Sequence, residues 1–513
     1  MFPPSLAQLI DLPHELLSQI INPLDDESIY AFTQTCKTFH FFALPLVLSR
    51  NGIRITGPDL VSIVDPSKEG LSALRTSLFA PSLERVRFYP SAEECRLFSD
   101  LRTLQKLLLR LPLISRLTLL YPSYQDVVDS RFQGALLDMQ KWSVELAALM
   151  DTALQKSCRD LQIYGGDNLF ADLDELESQE RPSSKFKTLS ATASRKISSF
   201  FSRVMHLPKT SHSPSRSRLS SLYINSPMLL HPYLFRWTQS RLQTNARSLT
   251  HLRFHDVRSS TWHQLLVTLT LPSLCLFDIV TTRQLVGGLG VALADIHTFL
   301  ERHPSIMILN LSGINFPTPT PTLRNPILPI LRAVGTHPKI IAWLLRSAAA
   351  HLKELNEVTI TSEPGDFDYD QFDEALEAVA LGSQMDAIHL QLNFLSKPGL
   401  HKWFEKHLSK PTAPSDAVVG CIRNLTRVTH LTVRTRYWMK MDDRDEPVVQ
   451  AFPQFLALFP SLEKVDLAEQ LLPSQDIILN RHKYFLRQVV SVCPKLNAMS
   501  VNFTAIDLAD LGV

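Results

Sequence analysis

The chain has 513 residues, of which 45% are hydrophobic and 20% are charged, and its formal net charge is +2. This composition is ordinary for a globular protein, and it excludes a polyelectrolyte that binds nucleic acid or an acidic membrane through its overall charge. No apolar run approaches the roughly 20 residues that cross a bilayer and the N-terminus lacks the basic start of a signal peptide, so we expect a cytoplasmic or nuclear protein with no membrane or nucleic-acid partner.

Residues 12–48 have the pattern of three short helices. Apolar residues recur at helical spacing in the first of them, at Leu16, Leu17, Ile20, Ile21 and Leu24. Pro13 suits a first helical turn, and Asp25 or Asp26 is placed to cap a second helix. Pro45 should end the third helix, because proline removes a backbone donor.

The same segment carries an ordered set of residues that resembles the F-box, in the form LPxELL…I…L…S…F…TCKxF that is common in fungal proteins. The matching residues are Leu12, Pro13, Glu15, Leu17, Ile20, Leu24, Ser28, Ile29, Phe32, Cys36 and Phe39. Phe39 stands where many F-boxes carry tryptophan. The resemblance implies a module, 1–50, that docks the Skp-type adaptor of a cullin ubiquitin ligase and leaves the rest of the chain to hold a target. The alternative is a three-helix cap that seals the end of a larger body.

If the module docks an adaptor, its apolar side chains should form the contact. The residues expected there are Leu12, Pro13, Leu16, Leu17, Ile20, Ile21, Leu24, Ile29 and Phe32.

A degenerate repeat, L-x-x-L-x-L with any large apolar residue at L, follows the module. Twelve copies begin at Leu83, Ile114, Cys158, Leu219, Leu249, Leu274, Ile306, Leu355, Met385, Val428, Leu462 and Leu496. Each copy predicts a short strand that buries its first, fourth and sixth residues, and amphipathic helical stretches fill the gaps between copies. The pattern predicts an α/β fold and resembles an irregular leucine-rich-repeat solenoid, with parallel strands on one side and helices on the other. The asparagine or cysteine that this family places after its strand is missing, and an α/β fold that is not a solenoid is the alternative.

One segment interrupts the repeats. From 181 to 218 there are nine Lys or Arg residues and no Asp or Glu, among many Ser and Thr. This composition predicts a disordered insertion that acts as a phosphorylation cluster, as a basic localisation patch or only as a solvated loop. The expected organisation is therefore the module, a first repeat part (51–180), the insertion (181–218) and a second repeat part (219–513).

A polar row should lie on the exposed sheet face, at the positions that flank the sixth residue of each repeat. We expect the target to lie across this row, with Tyr164, Tyr223, Arg253 and His255 exposed and central, because Tyr and Arg are enriched at interface hot spots. The alternative is that the row is only solvated and that loops or the C-terminal end bind the target.

No catalytic, cofactor or metal motif is apparent. The six cysteines are Cys36, Cys95, Cys158, Cys275, Cys421 and Cys493, and none lies within four residues of another. This spacing predicts free thiols, with Cys36 and Cys158 buried at apolar positions. His251 and His255 share a strand face with His263 nearby, but the sequence groups no further ligands with them, so we expect surface histidines and no metal.

The sequence thus indicates a non-enzymatic substrate-recognition subunit, with an adaptor and cullin at one end and a protein target on the repeats. The runner-up is a repeat scaffold that has no part in ubiquitin transfer. A third possibility is an enzyme whose site is assembled from distant residues.

Overall fold

The computed structural model describes residues 12–78, 80–90, 94–121, 139–166, 218–257, 261–281, 291–315, 327–348, 352–362, 369–381, 387–394, 399–409, 421–435, 447–469, 475–502 and 504–508. The chain divides into two compact units, Met1–Thr238 and Gln239–Val513. The predicted basic insertion lies outside the described residues apart from Arg218.

The first unit begins with three helices, α1 (His14–Ile21), α2 (Asp26–Thr33) and α3 (Lys37–Arg50). The predicted cap of α2 is confirmed, because the Asp25 side chain accepts a hydrogen bond of 2.7 Å from the Ser28 backbone N–H. That bond, with a second from the Ser28 hydroxyl, lowers the pKa of Asp25.

Two expectations about this segment are wrong. α3 does not end at Pro45 but continues to Arg50. Leu44, Val47 and Leu48 are buried around the proline, so their packing offsets the lost backbone hydrogen bond. Cys36 is exposed rather than buried, because it precedes the first turn of α3 in extended backbone instead of continuing the apolar face of α2.

The rest of the first unit is a sheet with helical connections. Its strands are β1 (Ile53–Thr56), β2 (Leu60–Val64), β3 (Arg85–Tyr89), β4 (Arg116–Leu120), β5 (Asp160–Tyr164) and β6 (Ser221–Asn225). β1 and β2 pair antiparallel, whereas β2 to β6 pair in chain order and parallel. The helices are α4 (Lys68–Thr76), α5 (Glu94–Arg110), α6 (Met139–Gln155) and α7 (Pro232–Thr244), which begins in this unit.

The second unit has the same plan. Its parallel strands, in order, are β7 (His251–His255), β8 (Leu276–Val280), β10 (Ile308–Leu311), β12 (Ala333–Thr336), β13 (Glu357–Thr361), β14 (Ile388–Phe394), β15 (Val428–Thr435), β16 (Lys464–Glu469) and β17 (Ala498–Val501). β18 (Thr504–Ile506) pairs antiparallel with β17, and β9 (Val291–Ala292) pairs with β11 (Ile314–Asn315). The helices are α8 (Trp262–Thr268), α9 (Leu293–Glu301), α10 (Pro338–Ala348), α11 (Tyr369–Leu381), α12 (Leu400–Leu408), α13 (Pro447–Leu456) and α14 (Gln475–Val492).

The predicted α/β class is confirmed, since each unit is a mostly parallel sheet with helices between its strands. All twelve predicted repeats contain a strand at the expected place. In the first repeat, Val86 and Phe88 are buried at the fourth and sixth positions, because alternate residues of a strand face the same side. Leu83, at the first position, is buried just before β3.

The starts of successive strands are also joined by a repeated backbone contact. The carbonyl of the residue before one strand accepts hydrogen bonds from two consecutive N–H groups at the start of the next. In the first unit the acceptors are Asp59, Glu84, Ser115 and Arg159, and in the second they include Thr250, Cys275, Met307 and Arg332. This contact keeps neighbouring strands in register.

Candidate interaction surfaces

The N-terminal helices leave part of their apolar surface uncovered. Leu16 and Ile20 are exposed on α1, and Phe41 is exposed on α3. The other residues expected to contact an adaptor divide into three groups: exposed Pro13; half-buried Leu12, Leu24 and Phe32; and buried Leu17, Ile21 and Ile29. The buried three form the interior of the module, so the surface available to a partner consists of the others. Sequence reasoning missed Phe41, which lies outside the F-box pattern.

Arg50 fixes the shape of this module. Its guanidinium, at the end of α3, donates to the Leu24 carbonyl at 2.7 Å, to Asp26 Oδ1 at 3.0 Å and to the Asn22 carbonyl. These bonds satisfy carbonyls at the end of α1 that have no helical partner. Arg50 therefore holds the α1–α2 turn against α3 and sets the direction of α1.

Tyr164 and Tyr223 lie together on the sheet of the first unit. Their rings are 4.8 Å apart between centroids, and the Tyr164 hydroxyl donates to Gln162 Oε1 at 3.4 Å. Both side chains are half-buried rather than exposed as expected, because each packs against its neighbour on the adjacent strand. The pair places two half-buried phenol side chains side by side on adjacent strands.

Arg253 and His255 lie on β7 in the second unit, and both are half-buried instead of exposed. His255 Nε2 is 3.1 Å from Oδ2 of buried Asp278 on β8. The four expected target residues thus divide between the units, with Tyr164 and Tyr223 in the first and Arg253 and His255 in the second. Asp278 was not expected, since its partner comes from a different strand.

A second histidine contact lies further along the same sheet. The rings of His389 and His430 stack with centroids 3.7 Å apart. His430 Nε2 is 2.5 Å from Asp466 Oδ2, and the Ser500 hydroxyl donates to Asp466 Oδ1 at 2.6 Å. Burial raises the pKa of Asp466, but the hydrogen bonds from Ser500 and His430 outweigh burial and lower it overall. Burial, followed by the charge of His430, lowers the pKa of His389 to about 4, so His389 is neutral at pH 7.

The second unit also contains a buried polar cluster made by Asp373 of α11, His407 of α12 and Cys421. Asp373 Oδ1 accepts from His407 Nε2 at 2.8 Å and from Trp403 Nε1 at 2.7 Å, and Asp373 Oδ2 contacts Lys406 Nζ at 2.8 Å. Burial raises the pKa of Asp373, but these donors reverse the change and keep it ionised. The sequence did not predict the cluster, because its members lie far apart in the chain.

The three buried cysteine thiols, Cys158, Cys421 and Cys493, are unsuited to nucleophilic chemistry. Burial raises the pKa of Cys158 and of Cys421 to about 12 and that of Cys493 to about 11. Cys158 is buried as expected, and Cys275 is half-buried. Because a thiolate is the reactive form, these buried thiols are poor nucleophiles.

No protein-family model matches the chain, and no curated protein matches it either. Among the described residues, no helix combines the length and apolar character required to cross a membrane.

Proposed function

We propose that this chain is the substrate-recognition subunit of an SCF-type cullin ubiquitin ligase. The N-terminal module, which resembles an F-box, would dock the Skp-type adaptor, and the repeats would hold the protein target. Ubiquitin transfer would be catalysed in trans, because docking raises the effective concentration of a target lysine near the conjugating enzyme. Such a subunit needs no catalytic residue of its own.

The observation that carries the proposal is the exposed apolar pair on α1. Leu16 and Ile20 are 45% and 41% exposed, although Leu17 and Ile21 of the same helix are buried. A helix with apolar residues on both faces loses free energy in water unless a partner covers the outer face. The order of the F-box-like residues agrees with a partner of the adaptor type.

The repeats support the second half of the proposal. In each unit, strands follow one another in chain order, and a repeated backbone contact joins their starts. This regularity favours an irregular leucine-rich-repeat solenoid over other α/β folds, and such solenoids commonly bind partners along the sheet face.

The experiment compares adaptor binding by the full chain and by a Leu16→Asp/Ile20→Asp variant. Each lost aliphatic contact is worth roughly 1.5–3 kcal/mol, so the affinity should fall by about a hundredfold or more. The matched control is Val144→Asp/Val267→Asp, because Val144 and Val267 are 46% and 39% exposed on other helices. Circular dichroism establishes that all three proteins are folded.

Point variants are better suited to this experiment than deletion of residues 1–50. α3 contacts β1 and α4, so deletion would uncover the core that begins at buried Ile53. Equal adaptor binding by the wild-type chain and the folded α1 variant would contradict the F-box assignment. A chain that binds targets but no adaptor would favour the repeat scaffold.

A further inference from the structure

The buried cluster of Asp373, His407 and Cys421 has the composition of a metal site. A carboxylate oxygen, an imidazole nitrogen and a thiol sulfur lie within 4.8 Å of one another, and all three residues are buried. Carboxylate, imidazole and thiolate are the donors that bind zinc in proteins, with bonds of about 2.0 to 2.3 Å. We propose that Asp373, His407 and Cys421 form a site for Zn²⁺ or a similar divalent transition-metal ion. This inference does not depend on the proposed function.

The charges of the cluster fit such an ion. Zn²⁺ bound to one thiolate and one carboxylate forms a neutral unit, which a buried site can hold without an unpaired charge. Lys406 contacts Oδ2 of Asp373, whereas His407 contacts Oδ1. The Lys406 side chain is half-buried and also pairs with Asp370 at 2.9 Å, so its charge stays balanced. The ion would take the place of His407 on Oδ1, where the Trp403 indole N–H remains as the second partner.

The supporting contacts also fit. The Trp403 indole N–H donates to Oδ1 of the same carboxylate at 2.7 Å, and outer contacts of this kind hold metal-binding carboxylates in position. Tyr369 stacks on Trp403 with ring centroids 5.5 Å apart, which fixes the indole in turn. The carboxylate is therefore oriented before an ion binds.

Binding requires only small movements and a balanced transfer of protons. The ion replaces the hydrogen bond between His407 Nε2 and Asp373 Oδ1, whose atoms are 2.8 Å apart, and those atoms separate to roughly 3.3 Å, the spacing of ligands around tetrahedral zinc. The imidazole proton moves from Nε2 to Nδ1, and the thiol releases its proton to solvent. The raised pKa of Cys421 belongs to the metal-free thiol, and coordination lowers it. Three protein ligands leave one position of the tetrahedron for water or another donor.

The test uses the full-length protein, stripped with a chelator and titrated with Co²⁺. A cobalt–thiolate bond produces a near-ultraviolet charge-transfer band that carboxylate and imidazole ligands do not produce. We expect this band in the wild-type protein, its loss in Cys421→Ser and its retention in Cys493→Ser, which alters another buried free thiol of the same unit. His407→Gln should weaken binding by at least about tenfold.

A thermal denaturation series with and without Zn²⁺ gives an independent readout, since a ligand that binds the native state raises its stability by mass action. The midpoint should rise for the wild-type protein and Cys493→Ser, but not for Cys421→Ser. If folded wild-type protein develops no charge-transfer band, or if Cys421→Ser develops the same band, the cluster is a hydrogen-bonded network only and the proposal is overturned. Neither readout involves the adaptor, so these results remain separate from those for the proposed function.

Discussion

At the scale of single residues, local hydrogen bonds could be predicted and long-range ones could not. Asp25 caps α2 by reaching Ser28, three residues away, and such a bond depends on local backbone only. Asp278 and Asp373 instead meet partners 23 and 34 residues away. Only the folded chain defines these pairs, so the two buried carboxylates were missed.

His303 is a further residue whose role depends on a distant partner. It is buried after α9, where its Nε2 accepts from the Leu271 backbone N–H at 2.8 Å and its Nδ1 donates to the Phe299 carbonyl at 2.5 Å. These bonds require the neutral ring with its proton on Nδ1. Burial, assisted by the charge of Arg302, lowers the pKa of His303 to about 4.

The lowered pKa predicts a loss of stability in acid. Above pH 6.5 His303 is neutral in both the folded and the unfolded chain. Between pH 6.5 and 4 only the unfolded chain takes up the proton, so the free energy of unfolding decreases as the pH is lowered. The contribution of His303 to this loss should approach about 3 kcal/mol by pH 4. We expect His303→Gln to be less stable at pH 7.5 and less sensitive to pH between 7 and 5. Urea denaturation at each pH measures both effects, and parallel curves for the two proteins would contradict the assignment.

At the scale of elements, the strands that follow the repeat could be predicted, whereas β12 and the β1–β2 hairpin could not. The six-residue repeat identified twelve strands, because its fourth and sixth positions fall on alternate residues of each strand and face the core. β12 was missed because Thr336 occupies the sixth position after Leu331 and Val334, and this threonine is buried nevertheless. The β1–β2 hairpin was missed because it does not follow the repeat.

Two glycines, one just before this hairpin and one in its turn, predict different losses of stability on substitution by alanine. Gly52, between α3 and β1, has φ +75°, and an added Cβ would lie 2.1 Å from the Val64 carbonyl oxygen. Gly57, in the hairpin turn, has φ +73°, and an added Cβ would have open space. Gly57→Ala should therefore lower the free energy of unfolding by about 1–2 kcal/mol, the cost of placing alanine in the left-handed conformation. Gly52→Ala should lower it by at least about 3 kcal/mol, because the Val64 backbone must also move. Equal losses in chemical denaturation would show that the hairpin relaxes freely around Gly52.

At the scale of the whole molecule, the chain combines a small helical module with a long series of strands. The module could be predicted from local sequence, and so could the α/β class of the repeats. The division at Thr238/Gln239 could not be predicted, because it falls within α7, a continuous helix. The expected target residues therefore belong to two units, and each pair has to be tested separately.

The last prediction concerns where the target binds. Tyr223 and Arg253 are half-buried on strands of different units, and each presents a side-chain type that commonly dominates interfaces. Tyr223→Ala removes the ring that packs at a tilt against Tyr164, so a loss of stability of about 1 kcal/mol is expected from the aromatic contact alone. Arg253→Ala should change stability less, because it removes no aromatic contact.

Both variants should retain adaptor binding, since the module on α1 to α3 is unchanged. Target proteins recovered with the wild-type chain should decrease by about tenfold in at least one variant, as expected for loss of a hot-spot side chain. Quantitative affinity purification, with Val144→Ala on α6 as the control, measures both effects. A loss confined to one variant assigns the target to that unit. If both variants recover the same proteins in the same amounts as the wild-type chain, the polar row is only solvated, and target binding must be sought on the loops or at the C-terminal end.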